Sequence, residues 1–430
     1  MKKTVSILLM LAFLVLIAVG CSPGNGGTSS QTSTPAESKK KSEPVPIKLV
    51  VWGSGASETY KKIQDDFNNK HPEINLTIEM QGSYAEYLGA KTASNDLPDL
   101  FFLQSYTQVK TYAKNGMIMD LSQRDFTDKI FSQAKEAVSY DNKIYAYPVS
   151  IGFLGLIYNQ ELLDKAGIAS PPKTVTELKE AFKKLKDLGI TPFASSAKDS
   201  WTLNHMLSAT QAATVGDNAA AWLKSMNEGT GSFSVAKTDS MFEALKTIRG
   251  NTNKNPLDSD YNNSIQMFAT GKAAMIHNGE WAIADVLKIN PNIKIGLTPI
   301  PISEDPKDAK LAVDAEINIA VNKNTKHPQE ALKVLDYISD NKDMTGWMHY
   351  FTKEVSEPPA MPYAEKPPLG GANDVFETAV KSGNTVPWIY AQYPLDLGAG
   401  EILQAWFGGS KDKDAVIDEI NKAWKKAVKQ

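Results

Sequence analysis

GKAAMIHNGEW, residues 271–281, decides the fold. Ala273, Ala274, Met275 and Ile276 form an apolar run of strand length, and a polar exit follows: His277, Asn278, Gly279, Glu280 and then Trp281. A run without alternation suits a strand buried on both faces, as in an α/β sheet covered by helices. In open sheets of that kind the ligand crevice lies outside the carboxyl ends of the strands. A polar, glycine-turned, aromatic exit therefore places candidate ligand groups at such an end.

The flanking chain repeats the pattern. Ile47 to Trp52 reads as a strand, and the segment after Gly55 puts Tyr60, Ile63 and Phe67 on one helical face before His71-Pro72 ends it. Ile74 to Met80 alternates as a second strand, residues 84–94 read as a helix, and Asp99 to Leu103 as a third strand. Strand, helix, strand, helix, strand predicts a mostly parallel sheet flanked by helices, an α/β fold. Residues 139–159, with the turn Asp141-Asn142, read as a hairpin leading into another strand. A helix-rich region follows, in which Val175, Leu178, Phe182, Leu185 and Leu188 recur three or four apart. Further helices are predicted near 200–214, 217–226, 239–250, 260–270, 328–339 and 413–428, with strands at 293–297 and 316–321. The last helix carries Val416, Ile417, Ile420 and Trp424 on one side.

The first residues carry a different message. Lys2 and Lys3 precede an uncharged apolar run from Val5 to Val19, and Gly20-Cys21 closes it. That is the order of a secretory signal peptide, and the run is short for a membrane span. Cys21 is the only cysteine, so no disulfide within the chain and no all-cysteine metal site can form. Residues 22–46 are rich in Ser, Thr, Gly and Pro and cannot build a core. Such a tether spans about 25–30 Å r.m.s.. Lys39, Lys40 and Lys41 read as a solvated charge run.

Composition narrows the function. With 46 Lys+Arg against 49 Asp+Glu, the net charge of −3 gives no reason to expect nucleic acid. Arg124 and Arg249 are the only arginines, the side chain best suited to fork onto carboxylate or phosphate, which tilts the reading toward an uncharged ligand. The five histidines include no pair at metal-binding spacing, and no G-x-S-x-G elbow occurs. Neither cofactor nor metal is expected. Gly53-Ser54-Gly55 follows a strand and imitates a dinucleotide fingerprint, but Glu58 stands where the third glycine belongs and would repel pyrophosphate. Thr270-Gly271-Lys272-Ala273 imitates a Walker lysine without its first glycine or its hydroxyl. Carboxylates are plentiful, yet no spacing singles out a catalytic pair.

Six stretches in this order and spacing carry a family resemblance: Leu97 to Phe102, Gly116 to Leu121, Tyr147 to Asn159, Pro171 to Leu178, Phe268 to Met275 and Asn278 to Trp281. They resemble the extracellular solute-binding proteins of bacterial sugar ABC transporters. The resemblance covers about 47–428 and implies two α/β lobes, each an open mostly parallel sheet, joined by hinge crossovers and closing over a sugar. On that pattern residues 1–20 are signal peptide and 21–46 are the lipidated Cys21 and its linker. The N-terminal lobe is then 47–150 plus 315–355, and the C-terminal lobe 151–314 plus 356–430. Crossings fall near Val149 to Gly152, Val313 to Ile317 and Val355 to Pro359. The implied protein is a monomer, anchored by lipid on the extracellular face of the cell membrane, which captures a carbohydrate and delivers it to ABC permease subunits. It is not an enzyme. A secreted carbohydrate-active enzyme is the alternative reading, and a cell-surface protein without a small ligand a third.

A sugar presents C–H faces and adjacent hydroxyls, so its site needs flat aromatics and planar polar groups. Of eight tryptophans, Trp222, Trp347, Trp406 and Trp424 read as packing. Trp281 matches the family's cleft tryptophan, and Trp201 an aromatic position in the second lobe; Trp388 and Tyr390 lie in a loop suited to the same task. Ser54, Gln104 and Ser105 follow strands at carboxyl ends, while Asp314 and Glu316 sit at the expected hinge. These nine residues are the expected ligand contacts. Gly152 stands where maltose-binding members of the family carry a sugar-bonding glutamate, which argues against maltose.

Overall fold

Leu49, Val50 and Val51 are fully buried within the first strand, β1 (Val45–Val51), because helices cover both faces of its sheet. A computed structural model describes residues 43–52, 57–315, 317–340, 347, 350, 358–362, 366–394 and 397–429. The leader, Cys21 and the linker up to Ser42, together with Ser54 and Glu316, lie outside the described residues.

The next strands are β2 (Ile74–Met80), β3 (Leu100–Leu103), the small hairpin β4 (Ser139–Tyr140) and β5 (Lys143–Ile144), β6 (Tyr147–Pro148) and β7 (Ile151–Asn159). After them come β8 (Thr191–Phe193), β9 (Ala273–Asn278), β10 (Ile295–Thr298), β11 (Leu311–Ala315), β12 (Asn318–Val321) and β13 (Thr385–Val386). One sheet has the order β2-β1-β3-β12-β6; the other runs β13-β11-β7-β9-β8, with β10 also paired to β7.

The two-lobed α/β arrangement is the one expected, but the sheets are mixed and not mostly parallel. β1 pairs in parallel with β2 and β3, whereas β12 runs antiparallel to β3 and to β6. In the second sheet β7 is antiparallel to β9, β10 and β11. The strands next to the crossovers account for this, because a chain that leaves one sheet and later returns re-enters against the direction of its neighbours.

The passages between sheets are short. The chain leaves the first sheet at Pro148 and enters the second at Ile151, then leaves the second at Ala315 and re-enters the first at Asn318. A third segment lies beside the first crossing: Ile151 N–H donates to the Pro358 carbonyl (2.8 Å), and Ala360 N–H to that of Val149 (3.1 Å).

Helices bury the expected faces. The helix Ser57–Lys70 buries Tyr60, Ile63 and Phe67 against the first sheet. Each such side chain stabilises by roughly 1.5–3 kcal/mol when fully buried. The helix Val175–Asp187 is capped by Thr174, whose hydroxyl accepts the Glu177 N–H at 3.1 Å, and it buries Val175, Leu178, Phe182 and Leu185. Leu188, expected on the same stripe, is 47 % exposed because the helix has ended one residue earlier. Trp222, Trp347, Trp406 and Trp424 are packing residues, as their settings predicted. Among the described residues no helix is long and apolar enough to cross a membrane.

Candidate functional site

β9 ends at Asn278, at its carboxyl end, and the polar exit of the opening stretch begins there. Gly279 lets Trp281 fold back: a Cβ at 279 would lie 2.1 Å from the Trp281 ring, so no larger residue fits without moving the indole. Trp281 then opens the helix Trp281–Ile289 and stays half-buried.

The structure brings the four predicted aromatics together around a residue the sequence reading passed over. His205 lies with its ring centroid 5.3 Å from Trp201, 5.7 Å from Trp281, 6.4 Å from Trp388 and 4.5 Å from Tyr390. Trp201 and His205 share one face of the helix Ser200–Val215, four residues apart. Trp388 and Tyr390 come from the segment after β13, where the Tyr390 N–H donates to Ser208 Oγ at 2.9 Å. Trp201 is 40 % exposed, an uncommon setting for so large an apolar side chain and one suited to covering a ligand. Trp388 is buried, beneath the others.

A cavity of about 160 Å³ lies at this cluster and is lined by Gln104 and Gln108 from the first lobe and by Trp201, Asn204, His205 and Tyr390 from the second. Gln104 follows β3 at its carboxyl end, as expected, and its N–H donates to Gln108 Oε1 at 2.8 Å. The larger depression, about 520 Å³, sits on the first lobe among Lys110, Asp128, Lys135 and Glu136, with Tyr140 as its one aromatic. A single tyrosine gives it less aromatic surface than the smaller cavity, which makes the latter the better ligand site.

Two expected contacts are engaged elsewhere. Ser105 does not line the cavity: its hydroxyl donates to the Ala315 carbonyl (2.8 Å) and accepts from Asn318 Nδ2 (3.0 Å), which ties the end of β3 to the second crossover. Asp314 is buried and accepts from Tyr106 Oη at 3.0 and 2.8 Å, from the Ala315 N–H at 2.8 Å and from the Trp388 N–H at 3.0 Å. Burial pushes its carboxyl up to about 7, against the pull of the Tyr106 hydroxyl and the two N–H groups. Asp314 thus supports the cleft from behind. Ser54 and Glu316 lie outside the described residues.

Gly152 explains how the second sheet holds the site. A Cβ there would stand 2.5 Å from Glu280 Oε1 and 2.8 Å from the Trp388 ring, so the carboxylate and the indole close over a bare backbone. Glu280 is fully buried and its Oε2 accepts the Phe153 N–H at 2.7 Å. His277, on β9 opposite Leu156, is also buried. Burial holds both His277 and His205 neutral, at about 3; His205 also lies near enough to oppose a charge on His277. The sequence reading missed His205, Asn204 and Gln108, and named Glu280 only as part of the polar exit; the four-residue spacing from Trp201 was the one available signal for His205. Among the described residues no three His, Cys, Asp or Glu are grouped to hold a metal.

The family model described as bacterial extracellular solute-binding protein matches residues 53–345. The chain is 26 % identical over 348 residues to the melibiose/raffinose/stachyose-binding protein MelE of Bacillus subtilis, covering 79 % of this chain and 77 % of that one. It is 24 % identical over 312 residues to the multiple sugar-binding protein of Streptococcus mutans, covering 71 % and 74 %. Among solved structures, RafE in complex with raffinose superposes with a TM-score of 0.75 at 22 % identity, over 89 % of this chain and all of RafE. A Bacillus licheniformis sugar transporter protein in complex with stachyose gives 0.72 at 20 % identity, over 89 % and 100 %.

Proposed function

The chain belongs to the bacterial extracellular solute-binding protein family, and we propose that within it the protein is the sugar receptor of an ABC transporter. It captures an uncharged oligosaccharide between its lobes and delivers it to the permease. The observation that carries this reading is the aromatic cluster at the cavity: Trp201 and Tyr390 line it together with Gln104 and Gln108 of the other lobe, and Trp281 and Trp388 pack against them. Flat aromatic faces match the C–H side of a pyranose, and the amides of Gln104, Gln108 and Asn204 match its hydroxyls. Among the described residues no lysine, arginine or carboxylate lines that cavity. Relatives named for multiple sugars and for melibiose, raffinose and stachyose support the ligand class.

Lobes of 47–150 plus 315–355 and 151–314 plus 356–430 close by changes of dihedral at the crossovers. Cys21 carries the lipid anchor, which holds the monomer at the extracellular face of the membrane. The protein binds its sugar without altering it. A thermal-shift screen against raffinose, stachyose, melibiose and maltotriose tests the reading. A ligand at 100 times its Kd stabilises by about 2.7 kcal/mol, and chromatography should return it intact. No shift with any of them, or hydrolysis of one, overturns the reading.

A further inference from the structure

The aromatic box has a polar floor that forms no bond with the protein. His205 Nδ1 is buried without a hydrogen-bond partner, and so are both ring nitrogens of His277 behind it, Asn204 Oδ1 beside it and Trp388 Nε1 beneath. Buried polar atoms are almost always paired, since leaving one unmade forfeits its hydration for nothing. Two of these atoms, His205 Nδ1 and Asn204 Oδ1, belong to residues that line the cavity, and the other three stand in the layer packed around them, a grouping that packing alone would remove because apolar residues of the same shape would fill the space at lower cost. His205 is the central one: it is partly open and lines the cavity, and its ring is the member that touches all four aromatics.

We propose that His205 is a specificity-determining ligand contact, whose neutral imidazole hydrogen-bonds a hydroxyl of the sugar ring held by Trp201, Trp281 and Tyr390. The inference rests on the sugar-receptor reading and deepens it. A neutral imidazole has one N–H donor and one bare nitrogen, so it can serve a hydroxyl in either direction. Its place among the rings lets the same side chain pack against the sugar's edge. A site built in this way rejects a sugar that lacks the hydroxyl, since the imidazole would then be left unpaired inside a closed cleft.

The test compares the full-length protein with His205→Phe, which keeps a ring of similar shape and removes the hydrogen bond, and with His205→Gln, which keeps a donor and an acceptor. Titration calorimetry with raffinose and stachyose reads affinity, and thermal melts of the ligand-free proteins read stability. For His205→Phe the expected result is a loss of about tenfold or more in affinity at an unchanged or higher melting temperature. His205→Gln should recover most of that loss. The imidazole ¹⁵N signals of His205 should also shift when sugar is added to the unsubstituted protein. If that protein binds while His205→Phe binds within twofold of it, or if His205→Gln is no better than His205→Phe, the role of His205 is overturned and the receptor reading stands. If the unsubstituted protein binds none of the sugars of the thermal-shift screen, both fall. Should His205→Phe not fold, the glutamine variant and the ¹⁵N shift decide: weak binding by the former with no shift in the latter overturns the proposal.

Discussion

Tyr106 donates its hydroxyl to both carboxylate oxygens of Asp314, at 3.0 and 2.8 Å, although the two residues stand 208 positions apart in the chain. Tyr106 precedes the helix Thr107–Lys114 that follows β3, and Asp314 lies on β11, so the pair joins the two sheets beside the crossovers. Tyr106 holds φ at +55°, a positive value that is costly for an aromatic residue and is sustained by its surroundings. Asp314 also accepts the Trp388 N–H, so the same carboxylate fixes the backbone of a cleft aromatic.

The pH dependence of stability follows from three groups, the buried Asp314 and His277 and the half-buried His205. Asp314 has its carboxyl raised to about 7, so it favours the fold fully below its unfolded value near 4 and loses that contribution as pH rises through 7. His205 and His277 are lowered to about 3, so their contribution is present above about 6.5 and is lost as pH falls. Between about pH 4.5 and 6 these trends oppose each other. Asp314→Asn removes the one that favours acid. Denaturant unfolding at pH 8 and pH 5 should show the variant losing more stability on acidification than the unsubstituted protein, by on the order of 1–2 kcal/mol. Equal losses in both would show that Asp314 does not titrate in this way.

Gly152→Ala should disturb the site without touching a ligand. The added methyl meets Glu280 Oε1 and the Trp388 ring at under 3 Å, so one of them must move. Overpacking of this kind costs about 1–3 kcal/mol. A lower melting temperature with weaker sugar binding is expected, and an unchanged melt would mean that the second sheet is looser here than the geometry indicates.

How much of this was legible in the sequence depended on the range of the interaction. Tyr60, Ile63 and Phe67 announced their helix through spacing alone, and β9 with its polar exit was readable because an apolar run followed by glycine and tryptophan is a local pattern. The helices Ala372–Ser382 and Ala399–Phe407 went unread, and so did β11 and the two-residue β13. Short apolar stretches such as Leu311–Ala315 carry no period, and β13 is defined only by its partner. At the site, the aromatics could be named because a sugar requires flat faces: the family resemblance pointed to Trp281 and Trp201, and the loop setting to Trp388 and Tyr390. Ser105 and Asp314 were expected at the ligand, and their true partners, Asn318 and Tyr106, could not be found without coordinates. His205 was signalled only by its four-residue spacing from Trp201, since its importance comes from Trp281 and Tyr390, which reach it from distant segments.

The cleft should change size with ligand. A cavity of about 160 Å³ is below the 300–1,000 Å³ usual for sites that enclose drug-sized ligands, so a trisaccharide enters only if the lobes part. Solution scattering should show a larger radius of gyration for the free protein than for its raffinose complex. Identical profiles at saturation would mean a rigid site.

Cys21→Ser should leave the folded body and its affinity intact and release the protein from the membrane, or block removal of the leader. Fractionation of cells expressing the variant checks this. A variant that still partitions with the membrane after its leader is removed would contradict lipid anchoring.

Calorimetric titration of Trp281→Ala with raffinose and stachyose, run beside its thermal melt, tests the central claim most directly. Trp281 packs on Trp201, His205 and Trp388 but remains half-buried. The account predicts saturable binding by the unsubstituted protein and a loss in the variant of on the order of 2 kcal/mol, roughly thirtyfold in Kd, with a small change in melting temperature. Unchanged affinity, together with a loss of stability of about 3–5 kcal/mol, would make Trp281 a core residue and contradict the account.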